Sequence, residues 1–331
     1  MSKTLIIAEA GVNHNGNLKL AKKLISVAKK MGADVIKFQI FKADKLTTAY
    51  TPKANYQRNS KFKNQFEMLK KLELSENDFS KLYEMCKRKK IEFSASFFNI
   101  DDLSLATKLN LKRIKIPSGE ITNYPLLKKV GSLGKKIILS TGMSNLEEIR
   151  KAFDLIVRSG TKKKNISLLH CNTEYPTPLK DVNLRAIKKL RKIFKTEVGY
   201  SDHTVSIETP IAAIALGAKI VEKHFTLNRN LKGPDHQSSL TPKEFKNMVV
   251  SIRKTEKLIG IEDKFVSNSE RKNIIKCRQY LVASKFILKN ETLGNHNVYT
   301  KRTGTGGISP MRIPNLYGKK AKKNYKKDEK I

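Results

Sequence analysis

Eight short, β-branched apolar runs separated by segments of amphipathic helical spacing predict a (β/α)8 barrel, and a change of texture after Gly260 predicts a small β-rich unit behind it. The runs are Leu5 to Ala8, Val35 to Phe38, Ile91 to Ala95, Arg113 to Pro117, Lys136 to Ser140, Ile166 to His170, Glu197 to Tyr200 and Lys219 to Lys223. Most of their ends lie roughly 20 to 30 residues apart, room for a strand, a helix and two loops. The wider gap, from Gln39 to Ser96, holds extra material around Tyr50 to Lys63. An open doubly wound sheet would use the same alternation. The barrel is favoured because nearly every run ends in a polar, chemically useful residue, and strand C-terminal ends are where such barrels place their sites. Its last helix is expected from about Thr241 to Leu258.

The barrel is assigned residues 1–260, followed by a polar linker, 261–275, and a β-rich module, 276–331. Tyr280 to Ala283 and Asn297 to Thr300 read as strands, ahead of the turn Gly304-Thr305-Gly306-Gly307. About 55 residues is near the lower limit for independent stability, so the module would gain from docking, for instance on a partner subunit.

With 331 residues, 39% hydrophobic and 29% charged, the chain is globular rather than disordered or fibrous. Cys86, Cys171 and Cys277 form no CxxC pair and read as reduced thiols. No run of about 18 uncharged apolar residues occurs, and Glu9 comes too early for a signal peptide, so a soluble cytoplasmic protein is expected. The net charge of +37 raises nucleic acid or an anionic membrane as partners. Only 13 of the 67 basic residues are Arg, and the Lys residues, such as Lys19, Lys22, Lys23, Lys29 and Lys30, sit on polar helix faces. Nucleic-acid readers favour Arg with interleaved aromatics, so neither partner is expected, although such a field attracts phosphorylated substrates. The Lys-rich tail, Lys319 to Lys330, reads as a frayed, solvated terminus.

His203 and His224 end consecutive strands, which points two imidazoles into the barrel mouth together. Two His ligands with water and substrate oxygens suit Mn²⁺, with Mg²⁺ or Co²⁺ as alternatives, better than a closed Zn site; two hydrogen-bonded core histidines would look the same in sequence. Lys37 and Lys115 interrupt apolar strands, where a charge must be ion-paired or bind an anion. Ser118-Gly119 and Thr141-Gly142-Met143-Ser144 offer hydroxyls and N–H groups at helix starts, a phosphate-binding arrangement. Glu9, Glu120 and Asp235 are candidate bases or hydroxyl clamps. Asn13-His14-Asn15-Gly16 reads as a turn and N-cap, and no dinucleotide or Walker fingerprint is present.

Ala8-Glu9-Ala10-Gly11-Val12-Asn13-His14-Asn15-Gly16, Ile36-Lys37-Phe38-Gln39, Lys115-Ile116-Pro117-Ser118-Gly119-Glu120, Gly199-Tyr200-Ser201-Asp202-His203-Thr204 and Gly233-Pro234-Asp235-His236 together resemble the sialic acid synthase family. Leu281-Val282-Ala283 and Lys301-Arg302-Thr303-Gly304-Thr305-Gly306 resemble its C-terminal antifreeze-like (SAF) domain. The resemblance implies condensation of phosphoenolpyruvate with an open-chain 2-acetamido sugar to a nine-carbon 2-keto acid and phosphate. It makes His203 and His224 the Mn²⁺ ligands and puts Lys37, Gln39, Lys115, Ser118 and Ser201 around phosphoenolpyruvate. Ser96 falls among the phosphate contacts. Glu9, Tyr175 and Asp235 lie near the sugar or metal, Glu120 is an acid–base residue, and Arg302 reaches the sugar in the partner's site of a domain-swapped homodimer. Three departures stand out: Ala95-Ser96-Phe97-Phe98-Asn99 replaces Ser-Thr-Pro-Phe-Asp, Thr303 replaces Pro, and Gly307 lengthens the turn. The sugar is expected to be N-acetylmannosamine, with a 2,4-diacetamido-2,4,6-trideoxymannose leading to legionaminic acid as the alternative. A Schiff-base aldolase using Lys115 or Lys37, and an anion-binding module, are the rival readings.

Overall fold

The computed structural model describes residues 3–53 and 62–331, so the middle of the extra material after Gln39 lies outside the described residues. The chain divides into two compact units, residues 1–260 and 261–331.

In the first unit, strands β1 (Leu5–Gly11), β2 (Val35–Ile40), β3 (Glu92–Phe97), β4 (Arg113–Ile116), β5 (Lys136–Ser140), β6 (Ile166–Cys171), β7 (Glu197–Asp202) and β8 (Ile220–His224) close a parallel barrel in sequence order. Several strands run one or two residues beyond their apolar runs because polar residues at their ends stay paired: Ser201 lies opposite Glu222 and Asp202 opposite Lys223. Alternation along each strand then sorts the side chains. Ile7, Val35, Ile138, Leu169 and Ile220 form a separate buried cluster inside the barrel. Two residues further along the same strands come Glu9, Lys37 and Glu222, so the apolar layer is the floor beneath a polar mouth. Gly199 belongs to the floor level, and a Cβ there would come within 2.5 Å of the Ile220 carbonyl oxygen and 2.7 Å of Leu169 Cδ2. Only glycine fits.

The residues of opposite parity, Ile6, Ala8, Ile36 and Phe38, join the main core with the surrounding helices. The first helix, Leu18–Lys30, shows how that packing is encoded: Asn17 caps it through Lys19 N and Leu20 N, and Ala21, Leu24, Ile25 and Ala28 form its buried stripe. Each fully buried Leu or Ile contributes roughly 1.5–3 kcal/mol. The last barrel helix, Pro242–Ile259, starts with a Thr241/Glu244 capping box and buries Phe245, Met248, Val249 and Ile252. Among the described residues no helix is long and apolar enough to cross a membrane.

In the second unit β9 (Tyr280–Ala283) and β10 (Val298–Lys301) pair antiparallel. Two expectations are corrected here. The polar stretch assigned to a linker contains a helix, Asn268–Cys277, opened by a Ser267/Glu270 capping box. It buries no residue, so it carries no apolar stripe by which the sequence would betray it. The Lys-rich tail is also not frayed. Lys320 bridges Thr292, Tyr325 bridges Ile287 and Lys330 bridges Val282, while Ala321 and Tyr325 pack into the core with Leu281, Ala283, Ile287, Leu293 and Val298. Two apolar residues among lysines are a faint signal, yet they fix the whole segment.

Candidate active site

Barrel register assembles the mouth. Glu9 lies opposite Lys37 on one side and His224 on the other, Gln39 opposite Ser96, and Ser96 opposite Lys115. Two lysines and two glutamates meet inside, each with a side chain no more than 4% exposed. Lys115 Nζ is 2.6 Å from Glu222 Oε1; Lys37 Nζ is 3.1 Å from Glu222 Oε2 and 3.4 Å from Glu9 Oε2. Lys37 also donates to Ser96 Oγ at 3.1 Å, and Ser201 Oγ donates to Glu222 Oε1 at 3.0 Å.

The four groups perturb one another. Burial raises the Glu9 carboxyl to about 7 against the opposing Lys37 ammonium. Burial acts on Glu222 in the same sense, but Lys115 and Lys37 overcome it and hold that carboxyl well below its usual range. Burial lowers Lys115 in spite of Glu222, whereas for Lys37 burial is outweighed by Glu222 and Glu9 and the ammonium is favoured. Glu222 was not singled out in the sequence. The signal was there: counting by two from His224 puts it on the same inward face.

The two histidines come together, their rings 5.3 Å apart and inclined at 71°. His203 Nδ1 donates to the Asn172 carbonyl, which leaves the lone pair on Nε2, where the Tyr175 hydroxyl donates at 3.2 Å. The Tyr175 ring stacks on His203 at 4.1 Å and meets His224 edge-on at 5.4 Å. Burial lowers both imidazoles, His203 to about 3, so each is neutral at pH 7. His224 Nδ1 is buried without a hydrogen bond and lies 3.7 Å from Asp235 Oδ2. Neutral imidazoles with an unsatisfied nitrogen fit a divalent ion that keeps several oxygen ligands from water or substrate. A closed structural site is another matter: among the described residues no group of three or more His, Cys, Asp or Glu side chains is arranged to hold an ion.

Gly11, at φ +50°, lies where Glu9, Gln39 and Asp235 converge; a Cβ there would sit 3.3 Å from Gln39 Nε2 and Glu9 Oε1 and 3.4 Å from Asp235 Oδ2. Gln39 donates to Glu9 Oε1 at 3.3 Å. Burial raises Asp235 to about 6. Its loop is tied down by Asn13, whose Nδ2 donates to Phe225 O and to Ser239 Oγ, both at 2.9 Å, while Ser239 Oγ donates to Asp235 O at 2.5 Å. His236 bridges Thr226 Oγ1 at 2.7 Å and Asn15 Oδ1 at 3.2 Å. Asn13 to Gly16 do form a turn, as read from the sequence, but the N-cap is corrected to Asn17, and Asn13 and His14 are buried parts of the mouth's support.

Other candidates have their hydrogen bonds outside this cluster. Ser118 Oγ accepts from Gly142 N at 3.0 Å and lies 3.2 Å from Cys171 Sγ. Thr141 Oγ1 donates to Leu169 O, so its hydroxyl is committed to the backbone. Glu120 is half-buried, accepts from Asn123 Nδ2 at 2.6 Å and is raised by burial, but has no hydrogen bond to the lysines or histidines. Arg302 is exposed on the second unit. A cleft of about 770 Å³ opens beside β5 and β6, lined among others by Thr141, Asn145, Cys171, Asn172, Arg185 and Lys189.

Comparison with known proteins decides the family. A profile of the NeuB family matches residues 24–264. The chain belongs to the NeuB family. It is 50% identical to an N,N'-diacetyllegionaminic acid synthase of Campylobacter jejuni over 100% of this chain and 99% of that protein. An N,N'-diacetyllegionaminic acid synthase of Legionella pneumophila is 42% identical over 96% of this chain and 90% of its own. Among solved structures, an N-acetylneuraminic acid (sialic acid) synthetase from Leptospira borgpetersenii in complex with citrate superposes with a TM-score of 0.74 at 33% identity, covering 82% of this chain and 90% of that one. The expected resemblance to sialic acid synthases is thus borne out at family level.

Proposed function

We propose that this NeuB-family chain condenses phosphoenolpyruvate with an open-chain 2,4-diacetamido-2,4,6-trideoxy sugar, giving an N,N'-diacetyllegionaminic acid and phosphate. The sequence alone leaned to N-acetylmannosamine. The two synthases 50% and 42% identical to the chain support the diacetamido sugar instead. The observation that carries the chemistry is the meeting, in one barrel mouth, of two buried ammonium groups with two neutral imidazoles.

In this reading Lys37 and Lys115, with Ser96, Ser118 and Ser201, offset the carboxylate and phosphate charges of phosphoenolpyruvate. His203 and His224 would hold a divalent ion, Mn²⁺ foremost, whose chemistry when bound is Lewis-acid polarisation of the sugar aldehyde. The enol carbon attacks that aldehyde and forms the C–C bond, while Glu9 or Asp235, both raised toward neutral pH by burial, supplies the proton to the new hydroxyl. Water positioned by Glu120 adds to the resulting cationic carbon, and the tetrahedral intermediate expels phosphate by C–O cleavage. Gln39 orients Glu9, and Tyr175 and Asp235 flank the sugar.

The test is phosphate release from phosphoenolpyruvate with Mn²⁺, comparing the diacetamido sugar with N-acetylmannosamine, each with and without EDTA. Release that needs the diacetamido sugar and stops in EDTA is expected; equal release without any sugar would overturn the reading. The domain-swapped homodimer and the role of Arg302 belong to the same proposal. Mixing Arg302→Ala chains with His203→Ala chains is expected to restore activity, because one mixed site then has an intact barrel and an intact partner arginine. No restoration would place Arg302 outside the partner's site.

A further inference from the structure

Glu222 occupies the place between the two lysines where an anion would be bound. Its Oε1 takes Lys115 Nζ at 2.6 Å and the Ser201 hydroxyl at 3.0 Å, and its Oε2 faces Lys37 Nζ at 3.1 Å. The two lysines differ in what else they have. Lys37 also has Glu9 and Ser96, whereas Glu222 is the one carboxylate in ion-pair range of Lys115 among the described residues. The serine and both lysines, all buried, thus converge on a buried carboxylate of the protein itself.

We propose that Glu222 is a positioning residue that acts as a resident counter-anion: it fixes the two ammonium groups and weakens their hold on phosphate, so that a group shared by substrate and product can leave. The proposal rests on the reading that Lys37 and Lys115 receive phosphoenolpyruvate. Opposite charges about 3 Å apart in a buried site interact strongly, so a carboxylate already in place removes much of the attraction an incoming anion would feel. Glu9, in its ionised form, does the same to a smaller degree, since of the two lysines it pairs with Lys37 alone.

The experiment is calorimetric titration of the full-length protein with inorganic phosphate, alongside steady-state kinetics. Glu222→Gln is expected to bind phosphate on the order of tenfold tighter or more, with kcat reduced and product inhibition strengthened while KM for phosphoenolpyruvate falls. Glu222→Asp, which keeps the charge, should move affinity back toward that of the wild type. Weaker or unchanged phosphate binding by Glu222→Gln, or no measurable binding by either protein, would overturn the proposal. Should Glu222→Gln melt before it can be assayed, Glu9→Gln decides: about two- to threefold tightening supports the idea and any weakening refutes it. Sugar-dependent phosphate release by the wild type tests the enzyme assignment separately, so the two failures are distinguishable.

Discussion

β7 and β8 carry two buried ion-pair systems that differ in one respect, the face of the strand. On the outward face Lys223 and Asp202 are fully buried, and Lys223 Nζ donates to Asp202 Oδ2 and Thr204 O, both at 2.5 Å, and to Ser206 O at 3.1 Å. Asp202 Oδ1 in turn accepts from Thr204 N at 2.9 Å and Tyr200 OH at 3.3 Å. Every charge there is answered by the protein. On the inward face, one residue along, Glu222 and Lys37 form an ion pair, yet Glu222 Oε2, Glu9 Oε2 and His224 Nδ1 make no hydrogen bond. A closed pair holds a loop in place; an open set of charges leaves capacity for a ligand. The closed pair also sits beside both histidines in sequence, so the structural device braces the functional one.

Substitutions can separate the two faces. The largest loss of activity is expected from His203→Ala or His224→Ala, which should abolish turnover and remove Mn²⁺ binding as followed by electron paramagnetic resonance of the free ion. Full turnover in metal-free buffer would contradict it. Next, Lys115→Met should lower kcat/KM about 10²- to 10³-fold with little change in melting temperature, because it removes a charge aimed at the transition state. Lys223→Met should do the converse on the outward face. It leaves Asp202 buried and uncompensated, at a cost of roughly 3–5 kcal/mol in urea unfolding. Equal destabilisation by both substitutions would show that strand face does not divide structure from function.

The difference between the faces also marks what the sequence could convey. The barrel was legible because β-branched runs such as Val35 to Phe38 alternate floor and core residues at a period that needs no partner to be seen. Lys37, Lys115, His203 and His224 were legible because charged or imidazole groups interrupt those runs. Glu222 and Lys223 were harder, since adjacent charges in one strand look alike until register assigns one inward and the other outward. Asn13 was hidden by the familiar look of a turn; its partners, Phe225 and Ser239, lie more than two hundred residues away in the chain. The helix Asn268–Cys277 buries no residue, and the paired tail shows only Ala321 and Tyr325 among its lysines.

The smallest predicted effect comes from Glu9, the member of the inward set that titrates near neutrality. Burial raises its carboxyl from 4.5 to about 7. Below pH 4.5 it is protonated in both the folded and unfolded states and contributes no pH dependence. As pH rises past 4.5 the unfolded chain releases this proton while the folded protein keeps it, so stability falls, and the fall levels off above about 7. For the metal-free protein the contribution is on the order of 3 kcal/mol across that window. Glu9→Gln, neutral at every pH, should flatten the urea-unfolding profile between these limits, whereas Lys223→Met should lower it without changing its slope there. A slope unaltered by Glu9→Gln would mean that Lys37 and Lys115 hold Glu9 ionised after all, and the inward set would then be as closed as the outward pair.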